Sequence, residues 1–231
     1  MRRAARLRDA NPGAPDAYIV YGDALSAAGR DGDAAQAYAR AANVRFSEDV
    51  ALRLVSAWQR AGQANRALQV VSLFLEQNPQ SIAVNRMAAR VRMDLGDWQG
   101  ALDALSLIEA KTGRQDALLM ADMAWALSKL GKNDKALAYA AYAYRLQPAS
   151  PVTADVLGWQ LLQTGKDKQA AVDLLEKAVA LTPDNPLLNY HLGTAYAASG
   201  RKDDARRVLA LAANDAGFSG RGEAKAMLAR L

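Results

Sequence analysis

The sequence predicts an all-α chain built as a stacked array of helix–turn–helix units, and three observations predict it. Six glycines, Gly29, Gly62, Gly96, Gly131, Gly165 and Gly200, recur at spacings of 33, 34, 35, 34 and 35 residues. Self-similarity at such a period marks one supersecondary unit repeated along the chain. Five places after five of these glycines stands an alanine: Ala34, Ala67, Ala101, Ala136 and Ala205, with Ala171 in the same role one place late. All seven prolines fall outside the helical stretches, just after one helix or in the first turn of the next. Proline suits those places because it lacks an N–H and clashes with a preceding helical turn.

Taken in order, residues 1–14 read as the remnant helix of a preceding repeat, closed by Asn11-Pro12. They carry four arginines and no apolar core that would make a signal peptide. The chain is therefore expected to be a piece of a longer one, with an open N-terminal end. Residues 15–217 form six repeats, each a first helix, a tight turn at the period glycine, a second helix and a looser turn. In the first helices, positions 4, 7, 8 and 11 share one arc at ~100° per residue. These are Tyr18, Tyr21, Gly22 and Leu25 in repeat 1, and Ala51, Leu54, Val55 and Trp58 in repeat 2. Position 8 is small throughout the rest (Ala89, Ala124, Gly158, Gly193), where two helices are expected to cross closely. The second helices carry Ala34, Tyr38 and Ala41, then Ala136, Ala140 and Ala143, then Ala205, Leu209 and Ala212. Residues 218–231 are a turn and a short helix from Glu223, with Ala224, Met227, Leu228 and Leu231 on one side. An array must cover its final face, so this segment is expected to be a capping helix.

Composition bounds the function. The chain has 29 Lys and Arg against 24 Asp and Glu, a net charge of +5, which describes a solvated surface before it describes a nucleic-acid binder. There are no cysteines and one histidine, His191, so neither disulfides nor paired-His metal motifs are available. The glycines sit between helices and follow no strand, so they make no phosphate loop. No serine stands in a nucleophile elbow. Asp203 and Asp204 open a helix, where carboxylates favour the positive end of the dipole. These absences point away from an intrinsic enzyme and imply no cofactor or metal.

The repeats resemble the tetratricopeptide repeat, or TPR. Repeat 6 carries its pattern as Leu192-Gly193, Tyr196, Gly200, Ala205, Leu209 and Ala212, with Asn189 and Gly217 replacing the first and last members. Repeat 4 has Gly131, Ala136, Ala143 and Pro148, with Met123-Ala124 for Leu-Gly. Repeat 3 departs most, with Arg92 where Tyr is expected. The resemblance implies a right-handed superhelix of about six repeats plus the cap. It also implies a non-catalytic scaffold whose concave face, lined by positions 2, 5, 6, 9, 12 and 13 of the first helices, holds a peptide or partner segment. At those positions stand Arg53, Arg60, Arg86 and Arg90, then Trp125, Lys129, Trp159, Gln163, Tyr190 and His191. The arginine run suits a carboxylate or phosphate, and the two indoles with Tyr190 are anchors of the kind binding surfaces use. Trp58 and Trp98 read as structural, and His191 as a polar residue on the groove wall.

The heat-shock carboxylate clamp of the family needs Lys and Asn where this chain has Ile19 and Asp23, so that subtype is absent. The stretches Val156-Leu157-Gly158-Trp159, Tyr190-His191-Leu192-Gly193 and Glu223 to Leu228 are similar to the ends of bacterial TPR proteins of exopolysaccharide export and secretion. That likeness implies a periplasmic setting if the chain is part of an envelope protein, and a cytoplasmic one otherwise. The alternatives are binding of an acidic polysaccharide through the arginine run, and a self-assembling array joined at the N-terminal end. Neither nucleic-acid binding nor membrane insertion is expected.

Overall fold

The computed structural model describes all 231 residues as fourteen α-helices without a strand. They form two compact bodies, Met1–Lys111 and Thr112–Leu231. The N-terminal body holds α1 (Arg2–Ala10), then the pairs α2 (Pro15–Ser26) with α3 (Asp31–Val44), α4 (Glu48–Arg60) with α5 (Ala64–Gln77), and α6 (Ile82–Asp94) with α7 (Trp98–Thr112). The C-terminal body pairs α8 (Ala117–Lys129) with α9 (Asn133–Leu146), α10 (Pro151–Thr164) with α11 (Lys168–Leu181), and α12 (Pro186–Ala198) with α13 (Lys202–Asn214). The short α14 (Arg221–Leu228) ends it, beginning two residues earlier than its apolar pattern indicates. Consecutive helices pack on one another from α1 to α6 and from α8 to α14, and first helices touch first helices: α4 with α6, and α10 with both α8 and α12.

The period glycines do what their spacing predicts. All six have φ between +65° and +76°, the left-handed region in which a Cβ is strained. Each ends a first helix so that the chain can double back. The small residues mark the seams. Ala34, Ala41, Ala136, Ala140, Ala143, Ala205 and Ala212 are fully buried. A Cβ on Gly22 would lie 2.5 Å from a Tyr38 ring carbon, on Gly158 2.8 Å from Leu175 Cγ, and on Gly193 2.4 Å from Leu209 Cγ. Here the packing of side chains, and not backbone freedom, demands glycine.

Departures from the repeat pattern have local explanations. Asn189, in place of an aromatic, is buried, and its Nδ2 donates to the carbonyls of Pro183 and Asn185 at 2.7 and 3.1 Å. Asn85 does the same in repeat 3, donating to Pro79 and Ser81 at 3.0 and 2.8 Å. An amide here holds the turn between repeats where an aromatic would have filled it. Arg92 lies along the period turn, its Nε 3.7 Å from Asp97 and its Nη1 3.4 Å from the Gly100 carbonyl. Trp58 is half-buried against the core of α3 and α4, with the Arg66 guanidinium 4.7 Å from its ring centre. On α14, Ala224 is buried and Met227, Leu228 and Leu231 pack against the core of α12 and α13. No helix is long and apolar enough to cross a membrane.

Candidate functional site

The predicted site residues divide between the two bodies, and the bodies present different chemistry. In the N-terminal body the arginine run is largely engaged with its own chain. Arg53 Nη1 lies 2.5 Å from Asp23, one repeat earlier, and its Nε 3.1 Å from Asp49, one turn earlier. Tyr38 donates to the same Asp23 carboxylate at 2.7 Å. Burial, and then that hydrogen bond, push the Tyr38 hydroxyl up to about 12. Arg60 donates to Asp31 and to Ser26 Oγ, both at 2.8 Å. Arg86 is half-buried and Arg90 exposed. The run therefore offers fewer guanidinium forks than its sequence suggests. Aspartates on the neighbouring repeat neutralise two of the four.

The C-terminal body assembles an aromatic cluster from three consecutive first helices. Trp159 on α10 stacks on the His191 ring of α12, with centroids 4.0 Å apart and planes at 24°. Trp125 on α8 stands 5.9 Å from the same imidazole. Tyr190 is 6.4 Å from Trp159 and 6.0 Å from Phe218. Both indoles are half-buried, so each keeps part of its surface toward solvent. Lys129 lays its ammonium 5.0 Å from the Trp125 ring centre, a cation–π contact, and Gln163 is exposed.

His191 departs from its expected place. It is not a groove-wall residue: only 2% of its side chain is exposed, and Nδ1 sits 2.8 Å from Oδ1 of Asp155, itself only 7% exposed. Helix α10 brings Asp155 and Trp159 to the same side, one turn apart, and α12 delivers the imidazole between them from the next repeat. No hydroxyl or thiol hydrogen-bonds this ring, so the pair lacks the nucleophile that would complete a hydrolytic triad. Nor do three or more His, Cys, Asp or Glu side chains gather where a metal could be held.

Three residues that the sequence pattern alone did not single out complete this face. Leu118, Val152 and Leu187 are the second residues of α8, α10 and α12, and they are 47%, 45% and 40% exposed. Each precedes position 9 of its helix by seven residues, or two turns, so Leu118 shares a stripe with Trp125 and Val152 with Trp159. The equivalent residues of repeats 1 and 2 are Asp16 and Asp49. The signal was present in the repeat alignment as an aliphatic at position 2 in three consecutive repeats.

Two tetratricopeptide-repeat family models match the chain, one over residues 2–50 and 121–186, the other over 161–231. The chain belongs to the tetratricopeptide-repeat family. Solved structures agree on the fold. TTC0263, a thermophilic TPR protein of Thermus thermophilus, is 24% identical, with a TM-score of 0.66 over 80% of this chain and 98% of its own. The APC/C hetero-tetramer Cut9-Hcn1 superimposes with a TM-score of 0.76 at 15% identity, over 98% of this chain and 44% of the other. YrrB, a TPR protein with an unusual peptide-binding site, is 18% identical, with a TM-score of 0.54 over 85% of this chain and all of its own. No curated protein is a significant sequence match. TPR proteins generally mediate protein–protein interactions and are generally non-catalytic, and this chain has their architecture.

Proposed function

We propose that this TPR chain is a scaffold that docks an apolar segment of a partner protein across the first helices of its C-terminal body. One observation carries the reading: three consecutive first helices each expose an aliphatic at position 2, and two of them place a half-buried indole two turns further along the same stripe. Exposed apolar surface organised in this way marks an interaction site, whereas scattered surface leucines do not. Charge argues the same way. The arginine run that would favour an acidic polysaccharide already has Asp23, Asp31 and Asp49 as partners. YrrB supplies a fold neighbour with a peptide-binding site. Helix α14 serves this body as an end cap, and the C-terminal likeness to export proteins would place the partner in a bacterial export or assembly complex.

The test is selection of a displayed random-peptide library on the full chain. Selected peptides should lose binding to Trp125→Ala/Trp159→Ala and to Leu118→Ser/Leu187→Ser, with helicity unchanged, and keep it for Arg53→Ala/Arg60→Ala. Peptides indifferent to the first two variants would refute the docking face.

A further inference from the structure

The N-terminal body holds a cavity whose chemistry is independent of the docking face. It lies between α1, α2 and α3 and has a volume of about 410 Å³, within the roughly 300–1,000 Å³ of small-molecule sites. The buried Leu25 and Ala37 line it, together with the half-buried Tyr18 and Tyr21. Three guanidiniums share that lining: Arg8 of α1, Arg30 of the period turn and Arg40 of α3. Arg8 lies 4.2 Å from the Tyr21 ring centre and meets Asp9 through Nε and Nη2, at 2.8 and 2.5 Å. Arg30 meets Asp33 through the same two nitrogens, at 2.7 and 2.5 Å. On both, Nη1 keeps its N–H groups without a protein acceptor. Arg40 is exposed and makes no hydrogen bond or ion pair, and the Tyr18 hydroxyl makes no hydrogen bond either.

We propose that this cavity binds a small aryl phosphate monoester, with Arg40 and the free edges of Arg8 and Arg30 on the phosphate and the ring against Tyr18 and Leu25. Guanidinium forks match phosphate oxygens, and a monoester carries a charge of about −1.5 to −2 at pH 7. Three guanidiniums against the carboxylates of Asp9 and Asp33 leave a cation in excess to meet it. The apolar and aromatic part of the lining calls for a ring, since a bare phosphate would leave that surface to water. Comparison among the repeats singles out the same place. Six residues beyond the repeat alanine, repeats 2, 3 and 6 have Leu73, Leu107 and Leu211, and repeat 4 has Tyr142. Repeat 5 has Lys177 there, but its ammonium donates to the Tyr144 hydroxyl at 3.0 Å. Only repeat 1 sets an unengaged cation at this position, on the rim of a cavity.

The experiment is isothermal titration calorimetry of the full chain with phenyl phosphate and, separately, with inorganic phosphate. Phenyl phosphate should bind saturably at one site per chain, at least about 10-fold more tightly than inorganic phosphate, because its ring leaves water. Arg40→Gln should weaken phenyl phosphate binding about 10- to 100-fold. Arg6→Gln removes the same charge from an exposed residue of α1 outside the cavity, and should change binding by no more than about twofold at physiological salt. Both side chains are exposed, so helicity should be unchanged in each variant. Equal effects of the two substitutions would mean diffuse attraction to surface charge and would overturn the site. Equal affinities for the two probes would mean an adventitious anion only. No saturable binding of phenyl phosphate to the wild type would also overturn the proposal, and none of these results bears on the docking face.

Discussion

Glycine at position 8 of the first helices can be tested by adding a single methyl group. In Gly193→Ala the new Cβ would stand 2.4 Å from Leu209 Cγ, 2.8 Å from its Cδ2 and 3.2 Å from Val208 Cγ2. Leu209 is fully buried and branches at the atom that is struck, so relief requires α13 to move as well as a rotamer. Forcing a methyl into a filled core costs about 1–3 kcal/mol, while alanine gains about 1 kcal/mol over glycine in helix propensity. The expected net change is a loss of up to about 2 kcal/mol. Gly32→Ala is the control: Gly32 is also helical, but a Cβ there meets nothing within 4 Å. That change should be stabilising by up to about 1 kcal/mol. Urea unfolding followed by far-ultraviolet circular dichroism, with the slopes unchanged, gives both values. Combining Gly193→Ala with Leu209→Ala should cost less than the sum of the two, because the added methyl fills part of the space the leucine leaves. Equal stability of the two single alanine variants would refute the close-crossing argument at this seam.

Other changes are equally specific. Gln160 is fully buried with neither amide atom hydrogen-bonded, so Gln160→Leu should raise stability by about 1–3 kcal/mol in the same urea assay; a loss would mean the amide is satisfied in solution. The Tyr196 hydroxyl, like that of Tyr38, is pushed up to about 12, first by burial and then by its hydrogen bond to Glu176. Both groups hold their protons more tightly folded than unfolded. Their contribution is therefore complete below pH 10, the ordinary tyrosine value, and is lost as pH rises through about 12. Tyr38→Phe/Tyr196→Phe should lose less stability than the wild type across that window, and identical pH profiles would contradict the assignment. Arg53→Ala leaves Asp23 with its Tyr38 hydrogen bond, so as an exposed ion pair its removal should cost no more than about 1 kcal/mol by urea unfolding.

The sequence by itself determined the fold of the repeats, because what specifies a repeat is local and recurs. A glycine that must take positive φ, an alanine where two helices touch and an apolar arc on each first helix are all legible within one window of about 34 residues. The position-2 aliphatics Leu118, Val152 and Leu187 were legible in the same way, although they follow the period without belonging to the family pattern. Only the tertiary structure decided which polar residues meet. Asp155 and His191 are 36 residues apart, and Arg53 and Asp23 are 30 apart. In each case a separation near the repeat length places two side chains on adjacent helices, and their packing settles whether they face each other or water. At a position the period assigns to the open side, His191 is drawn inward because Asp155 and Trp159 together offer it a carboxylate and a flat apolar surface. Periodicity gives the angle at which a side chain leaves its helix, and neighbouring helices decide what it finds there.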